Sequence, residues 1–287
     1  MKQILVISGK GGTGKTMLSA CFSVLADKKI IVDADVDAAN LHLLLNPEVK
    51  ESYDFVGGKI ARIDPENCIQ CGTCREICRF DAINEEFEVI PVYCEGCTIC
   101  SYFCEQGAII LEDRISGKYF ISSTKYGTLV HARLGIAQEN SGKLVAKLRE
   151  IAKELAEKQE VNYVIIDGPP GVGCPVMASM TGVDVVVAVT EPSLSGLHDL
   201  MRVIDLAEHF KVELKVVINK FDLSPELSQK IEEELKQKGI PLIGKIPFSE
   251  EVVTSVKRGI PFIEYAEKKP ELTDIVDTIK QIWKEVA

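Results

Sequence analysis

The chain has 287 residues, 46% of them hydrophobic, and carries a formal net charge of −10 at pH 7. That length suffices for one large domain, or one with a small insert, and no apolar stretch approaches the length of a membrane span. The acidity is concentrated: between Ile60 and Glu112 ten acids face three bases, a surface that repels nucleic acid and anionic membranes and steers toward a basic protein partner.

In chain order, Gln3 to Ile7 is an apolar run that reads as a first strand. It leads straight into a glycine loop with no small-residue cleavage site, so it is not read as a signal peptide, and a cytoplasmic location is expected. The loop, Gly9-Lys10-Gly11-Gly12-Thr13-Gly14-Lys15-Thr16, matches the phosphate-binding pattern G-x-x-x-x-G-K-[ST], and Lys15 to Ala26 has helical composition. Backbone N–H groups of such a loop turn inward around phosphates, and the following helix N-terminus adds a positive dipole end. The pattern places Lys15 on the terminal phosphates and the Thr16 hydroxyl on Mg²⁺. Ile30 to Val32 is a second short strand ending at Asp33, and after Leu45 the pattern weakens, with Asn46-Pro47 and Gly57-Gly58 as breakers.

A cysteine-rich insert is expected over 60–112, between the two parts (1–59 and 113–287) of a nucleotide-binding domain. It is an internal duplication: Cys68-x2-Cys71-x2-Cys74-x3-Cys78 is followed by Cys94-x2-Cys97-x2-Cys100-x3-Cys104. Each half ends in a similar phrase, Phe80-Asp81-Ala82-Ile83 and Gln106-Gly107-Ala108-Ile109. Thiolates at this density suit soft metals, and the repeated spacing favours iron–sulfur clusters over the separated C-x2-C pairs of zinc ribbons.

Beyond the insert, Lys118 to Ile121 and Thr128 to Ala132 read as a hairpin around Lys125-Tyr126-Gly127. Continuous apolar runs at Val161–Ile166, Val183–Val189, Leu214–Ile218 and Leu242–Ile246 suit strands buried on both faces. They alternate with helical stretches near 142–159, 196–210, 225–238 and 272–286. The expected fold class is therefore α/β, a mostly parallel sheet flanked by helices, with a small inserted α+β domain. The last stretch carries an apolar stripe with acids outweighing lysines, so it is expected to pack on the core rather than on a membrane.

Lys10, directly after the first glycine, resembles the deviant phosphate loop of the MinD/ParA/Mrp and nitrogenase iron-protein superfamily. The insert resembles a two-cluster bacterial ferredoxin, and the whole chain is similar to MinD-like ATPases with an inserted ferredoxin domain. The resemblance implies an ATP-hydrolysing homodimer in which Lys10 reaches the partner subunit's phosphates and Lys10, Lys15 and Asp35 are catalytic. It implies that Gly9 to Met17 surround the nucleotide, and that Thr16, Asp35 and Asp167 form the Mg²⁺ shell with Asp33 in support. Gly168-Pro169-Pro170-Gly171 would be the loop that senses the γ-phosphate. Asn219-Lys220-Phe221-Asp222 resembles the base-recognition element. The family implies ATP with Asn219 on adenine, whereas the spacing alone leaves GTP read through Asp222 open.

Ferredoxin likeness implies two 4Fe–4S clusters, one held by Cys68, Cys71, Cys74 and Cys104, the other by Cys94, Cys97, Cys100 and Cys78. The usual proline after the fourth cysteine is replaced by Arg79 and Glu105. Cys21 reads as a small core residue and His131 as structural. Cys174, seven residues after Asp167, lies at an offset similar to that of a bridging cluster ligand in the nitrogenase iron protein, and is a candidate ligand at the dimer interface. The resulting expectation is an ATPase whose dimer switch gates electron transfer, or metallocluster assembly, on a partner protein with a basic docking face. Two other readings are a ParA-like positioning ATPase with structural or redox-sensing clusters, and an electron-transfer ferredoxin with a regulatory nucleotide site. Neither nucleic acid nor a membrane is an expected partner.

Overall fold

The structure, a computed structural model, describes residues 1–135 and 140–287. Its strands are β1 (Lys2–Ser8), β2 (Lys29–Asp33), β3 (Glu48–Ile63), β4 (Ile109–Thr124), β5 (Gly127–Leu134), β6 (Tyr163–Pro170), β7 (Val185–Thr190), β8 (Glu213–Asn219) and β9 (Leu242–Ile246). Its helices are α1 (Lys15–Leu25), α2 (Leu41–Leu45), α3 (Thr73–Glu76), α4 (Ile99–Tyr102), α5 (Ser141–Lys158) and α6 (Cys174–Met180). They continue with α7 (Leu194–Phe210), α8 (Pro225–Lys238), α9 (Glu250–Lys257), α10 (Phe262–Tyr265) and α11 (Thr273–Val286). Strand order in the sheet is β3-β4-β5-β2-β6-β1-β7-β8-β9. From β5 across the sheet to β9 each pairing is parallel, with Val32 opposite Ile166 and Leu5 opposite both Ile166 and Val186.

Two compact units divide the chain. The first comprises Met1–Tyr53, Tyr119–Arg133 and Ser141–Ala287. Its central strands are apolar throughout because helices cover both faces. On one face Leu18, Cys21 and Phe22 of α1, Phe262 of α10 and Ile279 and Ile282 of α11 pack with Ile4, Val6 and Val187 of the sheet. The apolar stripe of α11 thus lies on the core, where Trp283 meets the rings of Phe22 and Tyr163, both at 5.2 Å between centroids. Burial pushes the Cys21 thiol up to about 12 and leaves it a packing group.

The second unit comprises Asp54–Lys118 with Leu134–Asn140, wider than the 60–112 expected from the cysteine spacing because long strands frame it. The stretch after Leu45, read from sequence as broken, is the strand β3. Gly57 sits inside it because a Cβ there would stand 2.6 Å from the Ser116 hydroxyl; the glycine marks close approach within the sheet, not an interruption.

The duplication in this unit extends to the backbone. Positive φ recurs at Gln70 (56°) and Gly96 (61°), at Gly72 (88°) and Thr98 (71°), and at Asp81 (50°) and Gly107 (61°), each residue 26 positions after its counterpart. A β-branched residue in this region is uncommon. Thr98 adopts it where Gly72 does, immediately before the short helix of each run. These turns curl each cysteine run back on itself. Ala61, Ala82, Cys94 and Ile109 form the small core beneath them.

Candidate functional site

The phosphate loop leaves β1 and opens α1, at the carboxyl ends of the parallel strands where open α/β sheets bind ligands. Gly12 (φ 81°) and Gly14 (φ 97°) take the left-handed conformation that turns successive N–H groups inward. A Cβ at Gly11 or Gly12 would meet nothing within 4 Å, whereas one at Gly14 would stand 2.2 Å from Asn219 Nδ2. Asn219, at the end of β8, donates through that nitrogen to the Thr13 carbonyl at 2.8 Å. Asn219 and the phosphate loop are thereby joined.

Lys15 is buried, and its Nζ reaches Asp35 Oδ2 at 3.1 Å and Asp167 Oδ1 at 3.4 Å. Burial lowers the ammonium's pKa, but Asp167 and Asp35 outweigh it and hold Lys15 above its ordinary value. Asp33 and Asp167 are pushed up, first by burial; Asp167 and Asp35 add repulsion at Asp33. Three carboxylates therefore share one ammonium at a buried site. Thr13 Oγ1, Asp33 Oδ1 and Asp167 Oδ2 are buried there without a hydrogen-bond partner. Such a pocket suits a cation and phosphate oxygens: a Mg²⁺–nucleotide supplies both, and the Thr16, Asp35 and Asp167 oxygens are of the kind Mg²⁺ takes.

Lys10 is held in its own subunit. Its Nζ pairs with Glu191 Oε1 at 2.7 Å and donates to Ser193 Oγ at 2.9 Å and Ser195 Oγ at 3.0 Å. Glu191 also binds Lys220, 2.9 Å from its other oxygen, and Lys220 donates to the Gly12 carbonyl at 3.0 Å. Burial raises the Glu191 carboxyl, but the two lysines outweigh it and hold it below its usual range. Sequence reading did not single out Glu191, Ser193 or Ser195; the available signal was an acid directly after the apolar run of β7. It likewise passed over Ser19, whose hydroxyl donates to Asp167 Oδ1 at 2.8 Å.

Two expected nucleotide contacts are placed differently. The Met17 side chain is buried in the core beneath α1, leaving only its backbone toward the loop. Asp222 accepts the Phe248 N–H at 2.6 Å, tying the loop after β8 to the loop after β9. Cys174 is exposed at the first turn of α6. A Cβ on Gly142, in the first turn of α5, would lie 3.3 Å from the Cys174 Cβ. Asp37 accepts a hydrogen bond from Ser141 in that same turn. His131 shares a 2.8 Å hydrogen bond with Ser122 and stacks on Phe120 at 5.1 Å. Burial, with His42 and Arg133 nearby, lowers its pKa to about 4.

In the second unit, Cys68, Cys71, Cys74 and Cys104 line one cavity. Cys78, Cys94, Cys97 and Cys100 line another, of about 700 Å³. The fourth cysteine of each run thus lines the other run's cavity. All eight are free thiols. Among the described residues no three His, Cys, Asp or Glu side chains converge closely enough to grip one ion. The Ala82 N–H donates to Cys78 Sγ at 3.4 Å, and the Cys71 thiol donates to the Thr73 hydroxyl at 3.5 Å; the Thr73 side chain and backbone lower the Cys71 pKa. Among the described residues no helix is long and apolar enough to cross a membrane.

Comparison with known proteins addresses the whole chain. The profile of the CobQ/CobB/MinD/ParA nucleotide binding domain matches residues 4–262. An uncharacterized protein of Methanocaldococcus jannaschii is 36% identical over 221 residues, covering 76% of this chain and 78% of its own length. An uncharacterized ATP-binding protein of the same organism is 28% identical over 293 residues, covering 99% and 98% respectively. Among solved structures, the septum site-determining protein MinD of Pyrococcus horikoshii, complexed with Mg-ADP, aligns with a TM-score of 0.60 at 20% identity. That alignment covers 99% of this chain and 95% of the other, and it speaks for the fold.

Proposed function

The chain belongs to the CobQ/CobB/MinD/ParA family of nucleotide-binding domains, and on that premise we propose that this MinD/ParA-like ATPase gates an iron–sulfur module with its nucleotide state. It closes as a homodimer around ATP and Mg²⁺, and the output is electron transfer to, or metallocluster assembly on, a partner protein. The observation that carries this reading is the crossed arrangement of the cysteines around two cavities. Thiolates set around a cavity suit a cluster, where each meets a different iron, better than one zinc ion, whose four sulfurs must all come within about 2.3 Å of a single point.

Cys68, Cys71, Cys74 and Cys104 would hold one 4Fe–4S cluster, and Cys94, Cys97, Cys100 and Cys78 the other, within an inserted domain taken as 60–112. These clusters supply one-electron chemistry when bound. At the other site, Gly9 to Thr16 cradle the phosphates, Lys15 neutralises them, and Thr16, Asp35 and Asp167 hold Mg²⁺. Asp35 also orients the attacking water. Lys10 leaves Glu191 and its serines to reach the partner subunit's phosphates, so the dimer forms only when phosphate charge outcompetes Glu191. Asn219 faces adenine. Cys174 lies at the dimer face as an additional metal ligand. The setting is cytoplasmic, where thiols stay reduced.

Reconstituted anaerobically, the protein should hold about eight irons per chain and turn over ATP. Cys104→Ser and Cys78→Ser should each remove the cluster of the other run while leaving the nearer one. Loss of the nearer cluster in each variant contradicts the crossed assignment. ATP turnover that persists in Lys10→Ala and Asp35→Ala contradicts the catalytic one. A positioning ATPase of the ParA kind shares the fold, but the acid-rich second unit offers no nucleic-acid track.

A further inference from the structure

The backbone duplication of the second unit makes an internal comparison possible. Between the third and fourth cysteines the first run carries Arg75-Glu76-Ile77 and the second carries Ser101-Tyr102-Phe103. Ile77 is half-buried and lines the second cavity, and Arg75 lies over the Phe87 ring at 5.9 Å and pairs with Glu85 at 3.5 Å. The first half therefore uses Arg75 and Ile77 for its own packing, while Glu76, the counterpart of Tyr102, is exposed. In the second half, Tyr102 is 83% exposed and Phe103 53% exposed. Their backbones are fixed by N–H bonds to the Thr98 and Ile99 carbonyls at 3.0 and 3.1 Å, and Ser101 Oγ donates to the Ile109 carbonyl at 2.9 Å. The rings meet edge to face with centroids 5.2 Å apart. They form an exposed aromatic pair, and the unit's own core (Ala61, Ala82, Cys94, Ile109) does not include them.

The placement and the charge around the pair define what it would contact. Cys100 lines one cavity and Cys104 the other, so the aromatic pair sits on the five-residue stretch that serves both. Exposed Ile99, on the same short helix, adjoins it. From Cys94 through Glu112 the chain has acids at Glu95, Glu105 and Glu112 and no lysine or arginine. Glu95 and Glu105, before and after the pair in the chain, are exposed. An aromatic centre with an acidic rim is the shape of a protein-binding hot spot, and its complement is an apolar patch ringed by lysine or arginine.

We infer that Tyr102 and Phe103 are the central contact of a docking surface for a basic protein that presents an apolar, redox-active edge within a ring of lysines. The surface deepens the proposed function, because the partner would meet the stretch that carries a ligand of each cluster; its binding readout does not require that reading. The acids set the encounter rate and its salt dependence, and the rings set the lifetime of the complex.

The probe is mitochondrial cytochrome c, a small basic haem protein with lysines around an exposed haem edge, and hen lysozyme serves as a basic control without that edge. Binding of each to the full-length holoprotein is measured by titration at low and at physiological salt. Cytochrome c should bind at low salt, weaken as salt rises, and bind better than lysozyme. The double variant Tyr102→Ser/Phe103→Ser should weaken cytochrome c binding at least tenfold at fixed salt. Ile115→Ser, which alters an exposed apolar residue elsewhere in the unit, should leave it unchanged. Iron content and visible spectrum of the double variant equal to wild type would show that the unit is intact; if they fall, Tyr102→Gln and Phe103→Gln are read singly. Absence of wild-type binding at low salt, equal binding of lysozyme, or unchanged affinity in intact variants overturns the inference. A protein that holds no iron but still shows the ring-dependent binding would refute the cluster reading and leave the docking surface standing.

Discussion

At Lys15 one ammonium is buried between Asp35 and Asp167, with Asp33 behind them. Removing one member of a buried pair leaves uncompensated charge and costs about 3–5 kcal/mol. Lys15→Met should therefore lower the melting temperature of the nucleotide-free protein, and adding Asp167→Asn should restore part of it; thermal melts of the two variants check this. At Gly14, alanine would meet strain at φ 97° and a clash with Asn219 Nδ2. Gly14→Ala should break the Asn219–Thr13 link and weaken nucleotide binding by about tenfold or more, that is about 1.4 kcal/mol or more, measurable by calorimetric titration. His131 gives a pH signature. Its folded pKa of about 4 lies below its ordinary value of 6.5, so the unfolded chain binds more protons between them. Stability is then full above the upper value and falls as pH drops through the window. His131→Phe should flatten that part of the melting temperature against pH, while retaining the stack on Phe120. Of these residues, Lys15 was legible from the loop motif, and Asp35 and Asp167 through the family resemblance. Glu191 was not, because nothing in a single sequence says which acid at a strand end will face Lys10.

Elements with strong periodicity were legible. The apolar runs of β6 to β9 and the helical stretches α5, α7, α8 and α11 fall within a few residues of where the pattern put them. The α11 stripe is an instance: Ile275, Ile279, Ile282 and Val286 are buried, and Ile279→Ala should destabilise the protein by about 2–5 kcal/mol, read from denaturant unfolding. Strand β3 was not legible. Most of its side chains are exposed, so it shows no alternation, and its pairing with β4 is set by residues far along the chain. The repeated positive-φ turns were hidden for a different reason: Gln70 and Thr98 stand where Gly96 and Gly72 stand in the other half, so the cysteine spacing shows the repeat and the turn residues do not.

For the molecule as a whole, the segment after β2 and the start of α6 both approach the first turn of α5: Asp37 beside Ser141, and Cys174 against Gly142. If nucleotide binding moves either segment, the change would be felt at one helix end, the kind of shared two-state element that coupling requires. The account's central claim is that nucleotide state and cluster state are energetically linked on this one chain. The direct test is an anaerobic redox titration of the reconstituted protein followed by electron paramagnetic resonance, with and without Mg–ATP. The account predicts a change in line shape and a shift in midpoint potential, each ~59 mV of a one-electron shift corresponding to about 1.4 kcal/mol of coupling. Superimposable titration curves and spectra in the two conditions would contradict it.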